Sequence, residues 1–405
     1  MMKILVLAGG SDQIALIKEL KKRSHDVVLV DYNLDPPARP YADRHIVAST
    51  LDVTLVKEIA IAENIEMITT ACTDQALLTV AQVSDMLSLP CYISYQTALN
   101  VTNKAYMKKI LLDNNIPTAR FIVTDKIDTK EFNGLAFPIV VKPVDCNSSK
   151  GVKKAFDLSD IPDITKEAIS LSRTKTAIAE EFKVGKEISA DFYIEDYNVK
   201  LMSVTSSNKI KNTNSFTITQ SCYPAIKPEL EETVLDIGHQ IAKHFQLKNT
   251  PLLVQLIKNK KGFHVLELST RIGGGSKYKL IEVLSGIDIM KVYVDLILGE
   301  KPVVSPQKRV NYALMNYIYC NPGRFMEENG MDKLKNDGII DDYFMYKTTG
   351  MEIQKHETSS DRVAGFLLTD RNKASLIKKL HLCDKNIEIL NDKGQDIMIH
   401  SLYLQ

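Results

Sequence analysis

Gln255, Glu267, Ser269 and Arg271 are the residues whose types and spacing bear most directly on chemistry in this chain. They fall in and just after two apolar runs, 251–257 and 262–268, joined by the polar turn Lys258-Asn259-Lys260-Lys261. That is the pattern of a hairpin. Gln255 belongs to the first strand and Glu267 to the second, and alternation puts Glu267, Ser269 and Arg271 on one face. Oxygen ligands suit Mg²⁺, and a planar guanidinium suits a phosphate or a carboxylate. Such a set could hold a metal-bound triphosphate beside a reacting acid. Taken alone, the hairpin reads more simply as a solvated surface element, because charged residues usually face water. The rest of the chain tips that balance.

Further candidates precede the hairpin in a fixed order. Lys104 begins a helix, and Lys142 ends the apolar strand Phe137–Pro143. The small-residue loop Ser148-Ser149-Lys150-Gly151 comes next, then Glu180-Glu181-Phe182-Lys183-Val184-Gly185-Lys186-Glu187. Two lysines can neutralise phosphates, and a small-residue loop lets backbone N–H groups approach them. A strand edge can offer adenine an amide pair, and a carboxylate can take ribose hydroxyls. A solvated lysine is unusual at the end of an apolar strand, so Lys142 reads as functional. Lys209 and Lys211 fall in a polar stretch and read as surface-loop residues, with substrate contact the minority reading. Tyr278 and Lys279 follow the glycines as secondary candidates for substrate contact. Gly9-Gly10 reads as a structural turn at the edge of a cleft.

These groups need a scaffold. Residues 1–100 alternate strand and helix signals, which implies a parallel sheet with helices on both faces. The turn after the first strand, Gly9-Gly10-Ser11, lacks a full G-x-G-x-x-G, so it makes no dinucleotide fingerprint. Residues 101–305 divide into a small unit, 118–185, and a larger sheet, 186–305. In the latter, Pro228 opens a helix over Glu229–Phe245 whose apolar stripe is Val234, Ile237, Ile241 and Phe245. The stretch Gly299–Pro306 is a linker candidate, and 306–405 reads as a mixed α/β region.

At 405 residues the chain is too long for one ordinary core. Its 44% hydrophobic and 25% charged content is that of a soluble globular enzyme. A net charge of +1 gives no global field for nucleic acid, so any anion site is local. No apolar run is long enough to span a bilayer. The six cysteines are scattered without a C-x-x-C pair, which reads as reduced cytosolic thiols. The expected location is the cytoplasm.

Taken together and in order, these stretches resemble the ATP-grasp superfamily. Within it they are most similar to the branch of carbamoyl-phosphate synthase large chains and L-amino-acid ligases. The resemblance is carried by Asp31–Ala38, Tyr41-Ala42-Asp43, Thr73-Asp74-Gln75-Ala76, Asn103-Lys104, Phe137–Pro143, Glu180–Glu187 and Glu267–Gly275. It covers residues 1–300 well and the remainder loosely. It implies an α/β (α+β overall) ATP-grasp fold: an N-terminal Rossmann-like parallel-sheet domain, a two-lobed ATP-binding core and a C-terminal α/β region.

By resemblance, Lys104 and Lys142 contact phosphates, and Ser148, Ser149 and Gly151 belong to a flap over the triphosphate. Glu180, Glu181 and the Phe182 backbone form the adenine hinge, and Glu187 takes the ribose. Gln255, Glu267 and Ser269 are the metal ligands, Ser269 standing where the family usually carries Asn. Arg271 contacts the acyl phosphate and, with Lys142, is the catalytic expectation. The cofactors implied are ATP and Mg²⁺, for which Mn²⁺ can substitute. The implied activity is an ATP-dependent ligase that joins a carboxylate to an amine through an acyl phosphate. A bicarbonate-using carboxylase or carbamoyl-phosphate-type enzyme stays open, as does a non-catalytic ATP-binding regulator; a dinucleotide-dependent oxidoreductase is disfavoured by the missing fingerprint. The partners implied are a small-molecule carboxylate and an amine, with no nucleic acid and no membrane, and a homodimer is the candidate assembly. Arg362 is a further candidate contact from the C-terminal region.

Overall fold

The computed structural model describes residues 1–147, 150–210, 216–355 and 358–402. Near the N-terminus the parallel strands Lys3–Leu7, Asp26–Asp31, Arg44–Val47 and Met67–Thr69 form one sheet, in the order third, second, first, fourth. Ile4, Leu5, Val6 and Leu7 are all fully buried, because helices cover both faces of such a sheet. One face packs on Val56, Ile59 and Val80 of the helices Val53–Ala62 and Asp74–Leu87. The other packs on Leu16 and Ile17 of the helix Ser11–Lys22, in one apolar cluster with Ile289, Tyr293 and Val294 of the helix Ile289–Ile297. That cluster ties the N-terminal sheet to the body of the molecule. Arg44–Val47 has no buried residue, so it carries no period by which its sequence could announce a strand.

A small antiparallel sheet follows, in the order Phe121–Thr124, Ala177–Glu181, Ile139–Pro143, Lys153–Ala155. The helix Ile161–Leu171 closes its core, where Ala168 meets Phe132, Ile139 and Val141.

The largest sheet has eight described strands. Their order is Gly262–Ser269, Thr250–Asn259, Lys186–Glu195, Asn198–Lys209, Ile218–Tyr223, Tyr312–Ile318, Ala364–Asp370, Asp342–Met345. The last three lie beyond residue 305, so this sheet runs straight through the expected division at 305 and 306. Residues 299–306 are a connection, not a break in the sheet. The helix Glu231–His244 buries Val234, Ile237 and Ile241 among Phe192, Leu252 and Val254, the stripe expected from its 3.6-residue period.

Candidate active site

The hairpin forms as its pattern requires. Gln255 stands directly opposite Glu267 across the antiparallel pair Thr250–Asn259 and Gly262–Ser269, so both side chains leave the same face. The register then shifts, with Leu256 opposite Val265. Leu266 is the extra residue of a β-bulge, a device that re-aims neighbouring side chains. Among the described residues no group of three His, Cys, Asp or Glu could hold a metal. The candidate donors on this face are one amide, Gln255, and one carboxylate, Glu267. That set fits Mg²⁺, which is commonly held by one or two carboxylates and completes its shell with substrate phosphates and water.

Ser269 requires a correction. It is only 3% exposed and does not line the cavity that Gln255 and Glu267 share. Its hydroxyl has no hydrogen-bond partner of ordinary geometry and lies beside the Asp74 carboxylate. The strand ends at Ser269, so simple alternation no longer governs where Arg271 points. Arg271 does reach the cavity. It is clamped there by Asp74, Nε donating to Oδ1 and Nη2 to Oδ2. Burial works against both charges, but each partner outweighs it: Asp74 is held below its ordinary value and Arg271 above its own. Asp74 comes from the first turn of the helix Asp74–Leu87, so it fastens the N-terminal domain to the end of the hairpin. The stretch Thr73–Ala76 pointed to this region without assigning Asp74 a role.

The lysines converge as expected, with one addition. Lys104 Nζ donates to the Cys146 carbonyl at 2.6 Å and lies 3.5 Å from Glu267 Oε2. Lys142 pairs with Glu180 at 2.5 Å. Lys108, which sequence reasoning missed, is fully buried and pairs with Glu180 at 2.7 Å. It sits one helical turn after Lys104, and that i, i+4 spacing was the available signal. Burial lowers the Lys108 pKa despite Glu180. Burial would raise that of Glu180, but Lys108 and Lys142 together bring it down to about 2. Glu180 is therefore the counter-ion to Lys108 and Lys142, and its carboxylate is engaged by both.

The hinge is otherwise altered in detail. The Phe182 N–H donates to the Pro138 carbonyl at 3.0 Å, so this amide is already engaged. Lys183, next along the chain, also lines the cavity and is the amide to consider for adenine. Glu181 lines the cavity and pairs with Lys183 at 3.0 Å. Glu187 lines it too and pairs with Lys209 at 2.5 Å. Lys209 is accordingly a cavity residue at the end of a strand, not the surface-loop residue expected. His264 is another missed wall residue, its pKa lowered by burial and then by Lys183 and Lys261.

Ser148, Ser149 and Lys211 lie outside the described residues. Gly151 does not line the cavity. Its φ is +69°, and a Cβ there would sit 2.6 Å from Leu171 Cδ1 and 3.1 Å from the Pro143 ring, so both backbone and packing favour glycine.

Ser269 and Gly151 apart, the described candidate groups named above border one cavity of about 870 Å³. It is also lined by Gly10, Asp12 and Cys72 of the N-terminal domain, Gly273–Gly275, and Tyr317 and Arg362 from beyond residue 305. Gly9 is the turn expected, since its N–H donates to Asp31 Oδ2 at 2.6 Å and a Cβ would collide with Pro36. Asp12 accepts from the Gly275 and Ser276 amides at 2.9 and 2.7 Å, which pins the glycine loop. Arg362 lies over the Tyr317 ring, 3.8 Å from its centroid, and its Nε donates to Tyr319 Oη at 3.3 Å. Burial, with Asp12 nearby, pushes the Cys72 thiol well up, so Cys72 is no thiolate nucleophile. Tyr278 and Lys279 do not border the cavity, whereas their neighbour Lys277 does.

Comparison with known proteins agrees with this geometry. Residues 102–275 match the family model described as phosphoribosylglycinamide synthetase, ATP-grasp (A) domain. That match covers less than half of the chain, and over nearly its whole length the chain has the fold of ATP-grasp proteins. More particularly, its curated relatives support ATP-dependent ligation as the class of activity. It is 23% identical over 284 residues to the L-arginine-specific L-amino acid ligase of Bacillus subtilis, covering 66% of this chain and 67% of that one. In structure it is similar to an L-amino acid ligase from Bacillus licheniformis, at 18% identity and a TM-score of 0.78, covering 97% of this chain and 99% of that one. The biotin carboxylase domain of the Hydrogenobacter thermophilus 2-oxoglutarate carboxylase, solved with MgADP, ADP and bicarbonate, gives a TM-score of 0.77 at 17% identity. It covers 96% of this chain and 91% of that one.

Proposed function

We propose that this chain activates a small carboxylate, an amino acid or a similar acid, with ATP and joins it to an amine. The observation that carries this reading is the meeting of two half-sites in one cavity. The Gln255–Glu267 pair, with Lys104 beside it and Lys142, forms one group of lining residues. The Gly273–Gly275 loop, held by Asp12, forms another. Arg271 lies between them in sequence and borders the same space.

Lys104 and Lys142 would bind the phosphates, Lys108 and Glu180 would set the charge balance beneath them, and Glu187 would take the ribose. Gln255 and Glu267 would hold Mg²⁺, which when bound supplies charge neutralisation to the phosphate oxygens. Arg271, fixed by Asp74, offers a planar fork to a phosphoryl group as it moves. A carboxylate oxygen attacks the γ-phosphorus, the bond to the β–γ bridging oxygen breaks, and ADP leaves with the electron pair. The amine then displaces phosphate from the acyl phosphate. No protein nucleophile is needed, in keeping with the neutral Cys72.

All six cysteines are free thiols, which supports a reducing compartment, the cytoplasm. Among the described residues no helix is long and apolar enough to cross a membrane. The test is a phosphate-release screen with Mg-ATP and amino acids or small carboxylates, singly and in pairs. Release that needs an acid and an amine together supports the reading; release stimulated by bicarbonate alone overturns it in favour of a carboxylase.

A further inference from the structure

Lys277 is buried, borders the cavity and has no part in the account above. Its Nζ donates to Ser189 Oγ at 2.5 Å and to Asp191 Oδ2 at 3.0 Å. Asp191 is itself buried and accepts from Ser203 Oγ at 2.6 Å. An ammonium has three donors. Two are placed, and the third has no acceptor among the described residues.

The position of Ser189 locates this ammonium. Ser189 stands opposite Gln255, and Gln255 stands opposite Glu267. The three residues form a row across adjacent strands on one face, with a strand spacing of about 4.8 Å. Lys277 Nζ, bonded to Ser189, is thus the next charged group along the row from the two metal ligands. The other nearby cations are already committed: Lys104 to Glu267 and the Cys146 carbonyl, Lys142 and Lys108 to Glu180, Arg271 to Asp74.

Stability alone does not account for the arrangement. Lys277 is the first residue of the helix Lys277–Ser285, where a cation meets the positive end of the helix dipole. A buried ion pair is often no more stabilising than apolar side chains of the same volume. Asp191 Oδ1 is buried without a partner, a further cost. Gly273 makes room for the lysine, since a Cβ there would lie 2.7 Å from Lys277 Cδ.

We infer that Lys277 receives the carboxylate to be activated, with Asp191 and Ser189 as its positioning residues. This rests on the ligase reading. The lysine holds one carboxylate oxygen beside the metal pair while the other attacks the γ-phosphorus; the acid enters ionised, so no proton moves in that step.

The test uses the full chain, Mg-ATP, hydroxylamine as the amine, and the standard L-amino acids and short carboxylates as acids, with hydroxamate as readout. The double variant Lys277→Gln/Asp191→Asn removes both buried charges together and keeps hydrogen-bonding groups. Its affinity for Mg-AMPPNP should stay within about twofold, while the KM for the acid rises about 10- to 100-fold, the worth of one charge-assisted hydrogen bond. Lys277→Arg, which keeps the charge, should recover part of that KM. An unchanged KM, or an equal loss of nucleotide affinity, overturns the inference. A wild-type protein that forms no hydroxamate with any of these acids sinks the ligase reading itself, and the inference with it.

Discussion

Replacing Glu180 by Gln should be the most damaging single change around the nucleotide end. The carboxylate is 3% exposed and lies between Lys142 at 2.5 Å and Lys108 at 2.7 Å. Burial alone would raise its pKa, and the two ammonium groups bring it instead from 4.5 to about 2. That displacement is worth roughly 3 kcal/mol of native-state stability. Because the folded pKa is depressed, the stabilisation is complete above about pH 4.5 and is lost as pH falls towards about 2. Lys108 contributes with its own sign: burial depresses its pKa below 10.5, so its unfavourable contribution fades as pH rises towards that value. Glu180→Gln leaves both lysines without their carboxylate, and breaking a buried pair in this way costs about 3–5 kcal/mol. Urea denaturation followed by circular dichroism and tyrosine fluorescence measures it, since the chain has no tryptophan. The variant should unfold at lower urea at pH 7 and show a flatter stability profile between pH 4.5 and 3 than the wild type. Mg-ATP should restore more stability to the variant, because the triphosphate supplies the missing negative charge. A loss below about 1 kcal/mol, or the same acid slope in both proteins, would refute the counter-ion role.

Three further substitutions separate the parts of the site. Glu267→Gln removes the one charged member of the proposed Mg²⁺ pair, so half-maximal activity should need a higher Mg²⁺ concentration in a metal titration, and an unchanged titration would remove Glu267 from the proposed metal site. Arg271→Ala should lower turnover by about 10²–10³ while changing Mg-AMPPNP affinity far less. Arg271→Lys should rescue it only in part, for want of the planar fork; parallel losses in kcat and nucleotide affinity would argue against a transition-state role. Ser269→Asn should cost about 1–3 kcal/mol by overpacking beside Asp74 and leave the Mg²⁺ dependence where it was. A tightened metal response would instead return residue 269 to the ligand set.

Much of this site is legible in the sequence because its residues sit on regular elements. Gln255 and Glu267 lie on a hairpin with a two-residue polar turn between paired Asn259 and Gly262, so their alignment follows from period and turn length. Lys104 and Lys142 stand at element ends, where a charge beside an apolar run is conspicuous. The errors arise where period and alternation stop being informative. Glu267 and Ser269 keep a regular register and share a face, but Ser269 is buried beside the Asp74 carboxylate, and alternation does not encode that burial. Lys277, not Tyr278 or Lys279, reaches the cavity because the glycine loop turns through a left-handed Ser276, φ 57°, before the helix begins. Asp74, Asp12 and Asp191 contact residues 197, 263 and 86 positions away, and no local pattern encodes such pairings. The continuity of the large sheet across residue 305 was hidden for the same reason, since Ile218–Tyr223 pairs with Tyr312–Ile318 across three intervening α-helices and a hairpin.

The central claim is that a carboxylate takes the γ-phosphoryl group within this cavity. Once the screen has supplied an acid and an amine, the acid is prepared with oxygen-18 in its carboxylate and turned over with Mg-ATP. The account predicts one labelled oxygen in the released phosphate, with ADP as the nucleotide product. Unlabelled phosphate beside a complete yield of ligated product would contradict the acyl-phosphate route, and AMP with pyrophosphate would show adenylation in its place.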